Sequence, residues 1–191
     1  MDRALPAVLG GAARLAHRVH RRDEAADAQT TDSIHEEERK ILMSTDTRRT
    51  PTSLTLTRTV KADPERVFDA WTREELLRRW FAPPGYTCCE VDMDPRVGGR
   101  YRIAMQKDGG GESHIVGGTL EEIERPRRLV LSWAWEGSPF EQEPMRVTVT
   151  FTPKNGETEI VLTHERFADE DQRDSHEKGW SACLDQLPSV L

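Results

Sequence analysis

The stretch RRWFAPPGYTCCEVDMDPRVGGRYRI, residues 78–103, decides the fold. Its opening run closes on Trp80 and Phe81. Pro83 and Pro84 cannot continue a helix, because proline lacks the backbone donor and its ring clashes with the preceding turn. The residues that follow set Cys89, Val91 and Met93 against Cys88, Glu90 and Asp92, the two-residue period of a strand. Gly98 and Gly99 supply a tight return, and Tyr101, Ile103 and Met105 alternate on the way back. The segment thus hands the chain from a helix to an antiparallel hairpin. It holds no nucleophile motif, metal-ligand spacing or phosphate loop, so its role is expected to be structural.

Upstream, SLTLTRTV alternates Leu54, Leu56, Arg58 and Val60 with Ser and Thr, as a half-buried strand does. Asp63 followed by Pro64 is a helix start: the carboxylate caps and proline is tolerated at the first helical position. Val67, Phe68 and Trp71 share one face of that helix. Thr72 and Glu75 have capping-box spacing ahead of a second short helix whose apolar stripe is Leu76, Leu77, Trp80 and Phe81. Residues 44–53, STDTRRTPTS, read as a polar lead into the first strand.

Downstream, the strand around Gly117-Gly118 is expected to bulge or bend. Leu129, Leu131, Trp133 and Trp135 alternate in the next strand, and Met145, Val147, Val149 and Phe151 in the one after. Lys154-Asn155-Gly156-Glu157 is a hairpin signal, and TEIVLTHERF returns as the last strand. The remaining residues predict one long terminal helix with His176, Trp180, Cys183, Leu184 and Leu187 on its apolar stripe. Asp169, Glu170, Asp171 and Asp174 bunch at its start, where they favour the positive end of the helix dipole. Consecutive strands joined by short turns imply an antiparallel meander.

Composition bounds the function. The chain has 191 residues, of which 36% are hydrophobic and 32% charged. All five Trp, all five Phe and both Tyr lie after Met43. That part is long enough to bury one core. Setting aside the 7 basic and 8 acidic residues up to Met43 leaves 20 basic against 26 acidic, an acidic domain. A nucleic-acid surface needs a concentrated basic face, so no nucleic-acid partner is expected. No apolar run is long enough to span a bilayer, so no membrane role is expected. Cys88, Cys89 and Cys183 are odd in number, and strand neighbours point to opposite faces, which disfavours a bridge between the first two. No Cys-x-x-Cys or His-x-x-x-His spacing occurs, so no metal site or cofactor is expected. Free thiols suit a reducing compartment, and a cytoplasmic location is expected.

Residues 1–50 are expected to be a disordered or weakly helical extension, and residues 51–191 the folded domain. A second reading of the extension is an over-extended gene start. HEEERKIL just before Met43 has the purine-rich codons of a bacterial ribosome-binding sequence, which makes Met43 the start. The apolar opening lacks the Ala-x-Ala close of a secretory signal.

Three segments, PERVFDAWTREELLRRWFAPPGYT, DPRVGGRYR and HEKGWSACLDQL, carry a resemblance. They resemble the signature segments of bacterial proteins similar to the activator of heat-shock-protein-90 ATPase, within the START/SRPBCC helix-grip superfamily. The resemblance covers about residues 53–191. It implies an α+β helix-grip fold, a curved antiparallel sheet of six or seven strands wrapped around a long C-terminal helix, with two short helices after the first strand. It is specific for fold and weakly specific for function.

Such a fold places a cavity between sheet and helix, and the expected function is binding of a small hydrophobic or amphipathic ligand there. The expected lining is Trp80, Phe81, Tyr101, Ile103, Met105, Trp133, Trp135, Met145, Val147, Val149, Leu162, Trp180, Cys183, Leu184 and Leu187. Trp80, Phe81 and Tyr86 are placed to gate entry. Large aromatics and adaptable methionines are the surfaces that line apolar pockets. The resemblance also implies two alternatives. One is a module acting on a chaperone ATPase, a stress-response role with a protein partner. The other is a cyclase- or dehydratase-like enzyme using a cavity histidine, His114 or His176. A histidine acid/base needs a partner in hydrogen-bond reach, which the sequence does not show. By parity His164 faces inward with Ile160 and Leu162, and Glu165 outward. No catalytic residue is otherwise expected, and the chain is expected to be a monomer or homodimer.

Overall fold

A computed structural model of the chain describes residues 46–137 and 144–191. Residues 1–45 of the expected extension, with the start at Met43, lie outside the described residues; its last five, expected to be disordered or weakly helical, form strand β1 instead. The described elements are β1 (Asp46–Thr50), β2 (Ser53–Val60), α1 (Pro64–Thr72), α2 (Glu74–Trp80), β3 (Tyr86–Met93), β4 (Arg100–Lys107), β5 (Ser113–Glu124), β6 (Arg128–Trp135), β7 (Met145–Lys154), β8 (Glu157–Glu165) and α3 (Glu170–Leu184), followed by a 3₁₀ turn at Leu187–Val190. All strands join one antiparallel sheet in the order β1-β2-β8-β7-β6-β5-β4-β3. Strands β3 to β8 form the expected meander, and β2 closes against β8. With the terminal helix against this sheet, the molecule has the helix-grip fold.

The sheet has eight strands rather than six or seven. The extra one is β1, formed by the residues read as a polar lead. It is an edge strand with a mostly exposed DTRRT sequence, so it lacks the apolar alternation that marks a half-buried strand. It is held from the helix side: Arg173, buried in α3, donates from Nη1 to Thr50 O at 2.7 Å, and Arg49 pairs with Glu177 at 3.3 Å.

Local chemistry explains most boundaries. Asp63 caps α1 by accepting from the Arg66 amide at 3.0 Å, with Pro64 opening the helix. The capping box expected at Thr72 is absent. Thr72 ends α1, its hydroxyl donating back to Phe68 O at 2.9 Å, and Glu75 pairs with Arg73. A threonine facing its own preceding turn has spent its hydroxyl and cannot cap the next one. Asn155 (φ 53°) and Gly156 (φ 82°) make the β7–β8 hairpin with both central residues left-handed, as a two-residue primed turn requires.

Two strand details differ from the alternation. A β-bulge between Cys88 and Glu90 shifts the register of β3 on β4, so Cys88 is buried and Cys89 exposed, the reverse of the simple period. Gly117 and Gly118 do not form a bulge; the irregularity of β5 lies between Leu120 and Glu122. A Cβ on Gly118 would sit 2.0 Å from Ser132 O, and one on Gly117 3.0 Å from Tyr101 O, so close backbone approach is what demands these glycines.

The core lies between the sheet and the helices. Leu54, Leu56 and Val60 of β2, Val147, Val149 and Phe151 of β7, and Ile160 and Leu162 of β8 are fully or almost fully buried. Arg58 shares that face and is buried too, its Nε 3.4 Å from Asp185 just past α3. The terminal helix is shorter than expected. It stops at Leu184, and the chain turns at Asp185-Gln186 into the 3₁₀ segment that carries Pro188. Proline at the start of that segment fits a new turn and not the interior of a continuing α-helix.

Candidate functional site

The segment 78–103 builds the wall on which the site rests. Trp80, at the end of α2, is buried and donates its indole N–H to Ala70 O at 2.9 Å, locking α2 onto α1. Its ring meets Trp71 edge-on at 4.8 Å and Phe81 at 5.5 Å. Phe81 then reaches Trp180 of α3 at 5.6 Å and Trp133 of β6 at 6.1 Å. Offset and edge-on contacts of this kind add to simple area burial. This aromatic chain sets the spacing between sheet and helix, and beside it lies a cavity.

The cavity has a volume of about 400 Å³ and is lined by Phe81, Pro83, Tyr86, Met105, His114, Trp133, Trp135, Ser175, His176, Gly179, Trp180 and Cys183. Of the residues expected at a ligand site, it gathers Phe81, Met105, Trp133, Trp135, Trp180 and Cys183, with both candidate histidines and Tyr86. It does not gather Trp80, Tyr101, Ile103, Met145, Val147, Val149, Leu162, Leu184 or Leu187, which pack in the core. Tyr101 sits on the inward face of β4 but donates its hydroxyl to Ser132 O at 2.8 Å, away from the cavity. Burial pushes that phenol well above its ordinary pKa.

The sequence reading missed Pro83, Ser175 and Gly179. On α3, Ser175, Gly179 and Cys183 follow at i, i+4 and i+8, beside His176 and Trp180. Small residues at helical spacing next to large ones leave a furrow, and a Cβ on Gly179 would meet nothing within 4 Å.

Two imidazole–indole pairs line up behind this wall. Trp135 Nε1 donates to His176 Nε2 at 3.0 Å, and His176 Nδ1 lies 2.8 Å from Gln172 O. An indole only donates and a carbonyl only accepts, so His176 carries its proton on Nδ1 and its lone pair on Nε2. Both ring nitrogens are thereby committed. Trp180 Nε1 donates to His164 Nδ1 at 3.0 Å, which puts the His164 proton on Nε2. The two imidazoles meet edge-on at 5.0 Å. Burial lowers the pKa of both; for His164 the drop is large, and a charge on His176 would lower it further. Each pair is neutral at pH 7. His114 is different: its side chain is 42% exposed, 3.4 Å from the Tyr86 hydroxyl and 3.6 Å from Glu112.

Burial, reinforced by neighbouring Cys88, pushes the Cys183 thiol up to about 12, so this cysteine is not a ready nucleophile. A second cavity of about 440 Å³ is bordered by Asp92, Arg100, Arg102 and Glu136 among others. Its Arg102 is already held by Glu90 at 2.9 Å and Glu136 at 2.6 Å. Among the described residues no group of three His, Cys, Asp or Glu side chains is placed to hold a metal ion, and no helix is long and apolar enough to cross a membrane.

Comparison with known proteins gives this architecture a family. Residues 61–191 match the family described as Activator of Hsp90 ATPase homolog 1-like protein. The chain belongs to this family. Among curated proteins it is 25% identical over 113 residues to the activator of 90 kDa heat shock protein ATPase homolog 1 of Homo sapiens, and equally to that of Mus musculus. That similarity covers 57% of this chain and 28% of each relative, so the chain spans little more than a quarter of the curated relatives it matches. A crystal structure of a Chromobacterium violaceum protein is 27% identical, with a TM-score of 0.65 over 74% of this chain and 98% of the other. An AHSA1 protein from Silicibacter pomeroyi superposes with a TM-score of 0.64 at 23% identity, covering 72% and 95% of the two chains. The second likeness is one of fold alone.

Proposed function

We propose that this protein binds a small hydrophobic or amphipathic molecule in the cavity between β6 and α3. The observation that supports this reading is the cavity's size together with its lining: about 400 Å³ bordered by five aromatic side chains, Phe81, Tyr86, Trp133, Trp135 and Trp180. Small-molecule sites are concave, mostly apolar and roughly 300–1,000 Å³ in volume. The lining residues, Met105 and Cys183 included, are the proposed ligand contacts, and Tyr86 and Phe81 the proposed gate.

The catalytic alternative has less support. His176 has no free lone pair, and His114 faces Glu112 at the exposed rim. The chaperone reading has one observation in its favour, the family itself, whose description and curated relatives are named for an activator of a heat-shock ATPase.

Titration with prodan, a neutral naphthyl ketone whose emission moves to the blue in apolar surroundings, tests the binding reading. One saturable site is expected, lost in Gly179→Leu, which fills the furrow on α3. Emission that rises without saturation, or that Gly179→Leu leaves unchanged, removes the ligand-binding reading. Stimulation of a heat-shock-protein-90 ATPase by this protein, undiminished by Gly179→Leu, establishes the chaperone reading in its place.

A further inference from the structure

Burial gives the cavity two unlike ends, and this inference rests on the ligand-binding reading. Of the lining residues, Met105, Trp133, Trp180 and Cys183 are each only 4–6% exposed, and the two indoles lie 5.0 Å apart. They form the floor. Ser175 is exposed, and Tyr86, His114, Trp135 and His176 are half-buried. Their rings run side by side: His114 is 5.3 Å from Tyr86 and 6.0 Å from Trp135, and Trp135 is 5.9 Å from His176. They form the mouth.

The two ends differ in what they offer a polar atom. On the floor, the Trp180 N–H is given to His164 and the Trp133 nitrogen is itself buried. Cys183 and Met105 bring only sulfur, a weak hydrogen-bonding element. A polar group set down there loses its water and gains no strong partner. At the mouth, the Tyr86 hydroxyl and His114 Nε2 are 3.4 Å apart, at the long end of a hydrogen bond, which leaves both able to take a better partner. Charges of both signs flank this pair: Glu112 lies 3.6 Å from His114, and Lys107 is the cross-strand neighbour of Tyr86. Together they single out neither sign of head group. A phenol and a neutral imidazole each donate and accept, and a hydroxyl, which also does both, matches the two.

We propose that the cavity takes a single-headed amphiphile, its apolar body on the floor against Met105 and Trp180 and its hydroxyl head at the mouth, hydrogen-bonded by Tyr86 and His114.

Naphthalenes sharing one body test this on the full chain: 2-(2-naphthyl)ethanol, with one head; 2-ethylnaphthalene, with none; and 6-(2-hydroxyethyl)-2-naphthol, with a hydroxyl at each end. The diol should bind at least about 10-fold more weakly than the alcohol, because its second hydroxyl lands on the floor. The ratio of alcohol to hydrocarbon affinity should fall roughly 3- to 10-fold in Tyr86→Phe, which keeps the ring and removes the hydroxyl, and likewise in His114→Leu. Taking the ratio cancels whatever packing each substitution costs both compounds. Nuclear Overhauser contacts should join the alcohol's distal ring protons to the Met105 methyl, and its side-chain methylene protons to the Tyr86 ring. A ratio that either variant leaves unchanged overturns that residue's role. Diol binding as tight as that of the alcohol, or Overhauser contacts in the reverse order, overturns the orientation. Tighter binding of 2-(2-naphthyl)ethylammonium or 2-naphthylacetate than of the alcohol overturns the hydroxyl assignment. Each of these outcomes leaves ligand binding in place, whereas failure of every compound to bind sinks the ligand-binding reading and this inference with it.

Discussion

Replacing Trp180 with alanine tests the joint between helix and sheet. The indole is 4% exposed and lies 5.0 Å from Trp133, 5.6 Å from Phe81 and 5.9 Å from Trp71. A buried tryptophan removes on the order of 200 Å² from water, worth about 5 kcal/mol at about 25 cal/mol per Å². One edge of this ring borders the cavity rather than packed atoms, so the packing loss is nearer 3–4 kcal/mol. Truncation also strands His164 Nδ1, a fully buried acceptor, at a further cost of about 1 kcal/mol. The expected total is about 4–5 kcal/mol, read from the urea midpoint and slope at pH 7.5. The hydrogen-bond part is separable. In a His164→Leu background there is no acceptor to strand, so Trp180→Ala should cost about 1 kcal/mol less than in the parent chain. A single-variant loss below about 1 kcal/mol would mean that α3 packs on another face, and the cavity lining with it would be wrong. Strict additivity of the two substitutions would refute the imidazole–indole pair alone.

The same two histidines make stability depend on pH. Their folded pKa values lie below the unfolded value near 6.5, so the unfolded chain binds more protons in that window. Their contribution is fully present above about pH 6.5 and is lost as pH falls, at up to about 1.4 kcal/mol per unit for each histidine; urea midpoints at pH 7.5, 6.5 and 5.5 should decline, and His164→Leu should flatten the decline. Cys183, in a variant with Cys88 and Cys89 replaced by Ser, should react slowly with a small methanethiosulfonate below pH 9, and saturating prodan should slow it further; a rate that tracks global unfolding across urea concentrations would mean a filled core at that point. Gly179→Ala should stabilise the chain by up to about 1 kcal/mol, because a Cβ there meets nothing and alanine is the better helix former, while weakening prodan binding at the same furrow; destabilisation would show the space is already occupied.

The elements with a strict period were legible in the sequence, and those shaped by tertiary contact were not. Strands β7 and β8 bury every second residue as their alternation says, because both sit mid-sheet with one face on the core. His164 follows that parity into full burial. Strand β1 escaped because an edge strand without an apolar face has no period to read. Cys88 and Cys89 exchanged faces because a bulge inserts one residue, and nothing in TCCEVDM marks where. The capping box at Thr72 had the right spacing, but spacing does not say which neighbouring turn a hydroxyl faces.

For the site, parity named inward residues but not the depth at which each sits along its strand. Met105 reaches the cavity, whereas Ile103 and Tyr101 on the same face of β4 belong to the core. What separates lining from core is the residue across the gap. The helix meets Trp133 and Trp135 with His176 and Trp180, but the cavity beside them is also lined by Ser175 and Gly179, too small to fill it, whereas Leu184 near the helix end is buried in the core. An apolar stripe therefore predicts contact with the sheet, and the small residues beside the stripe predict where that contact fails to close. The two histidines then settle the polarity of the space. An apolar seam holding three indoles needs acceptors, and an acidic side chain there would bring a buried charge. A neutral imidazole accepts without one, and the fold supplies two. The third indole, Trp133, has no acceptor among the described residues and is closed in by the rings of Phe81, Trp135, His164, His176 and Trp180, so its donor is a cost the seam carries rather than a handle open to the cavity.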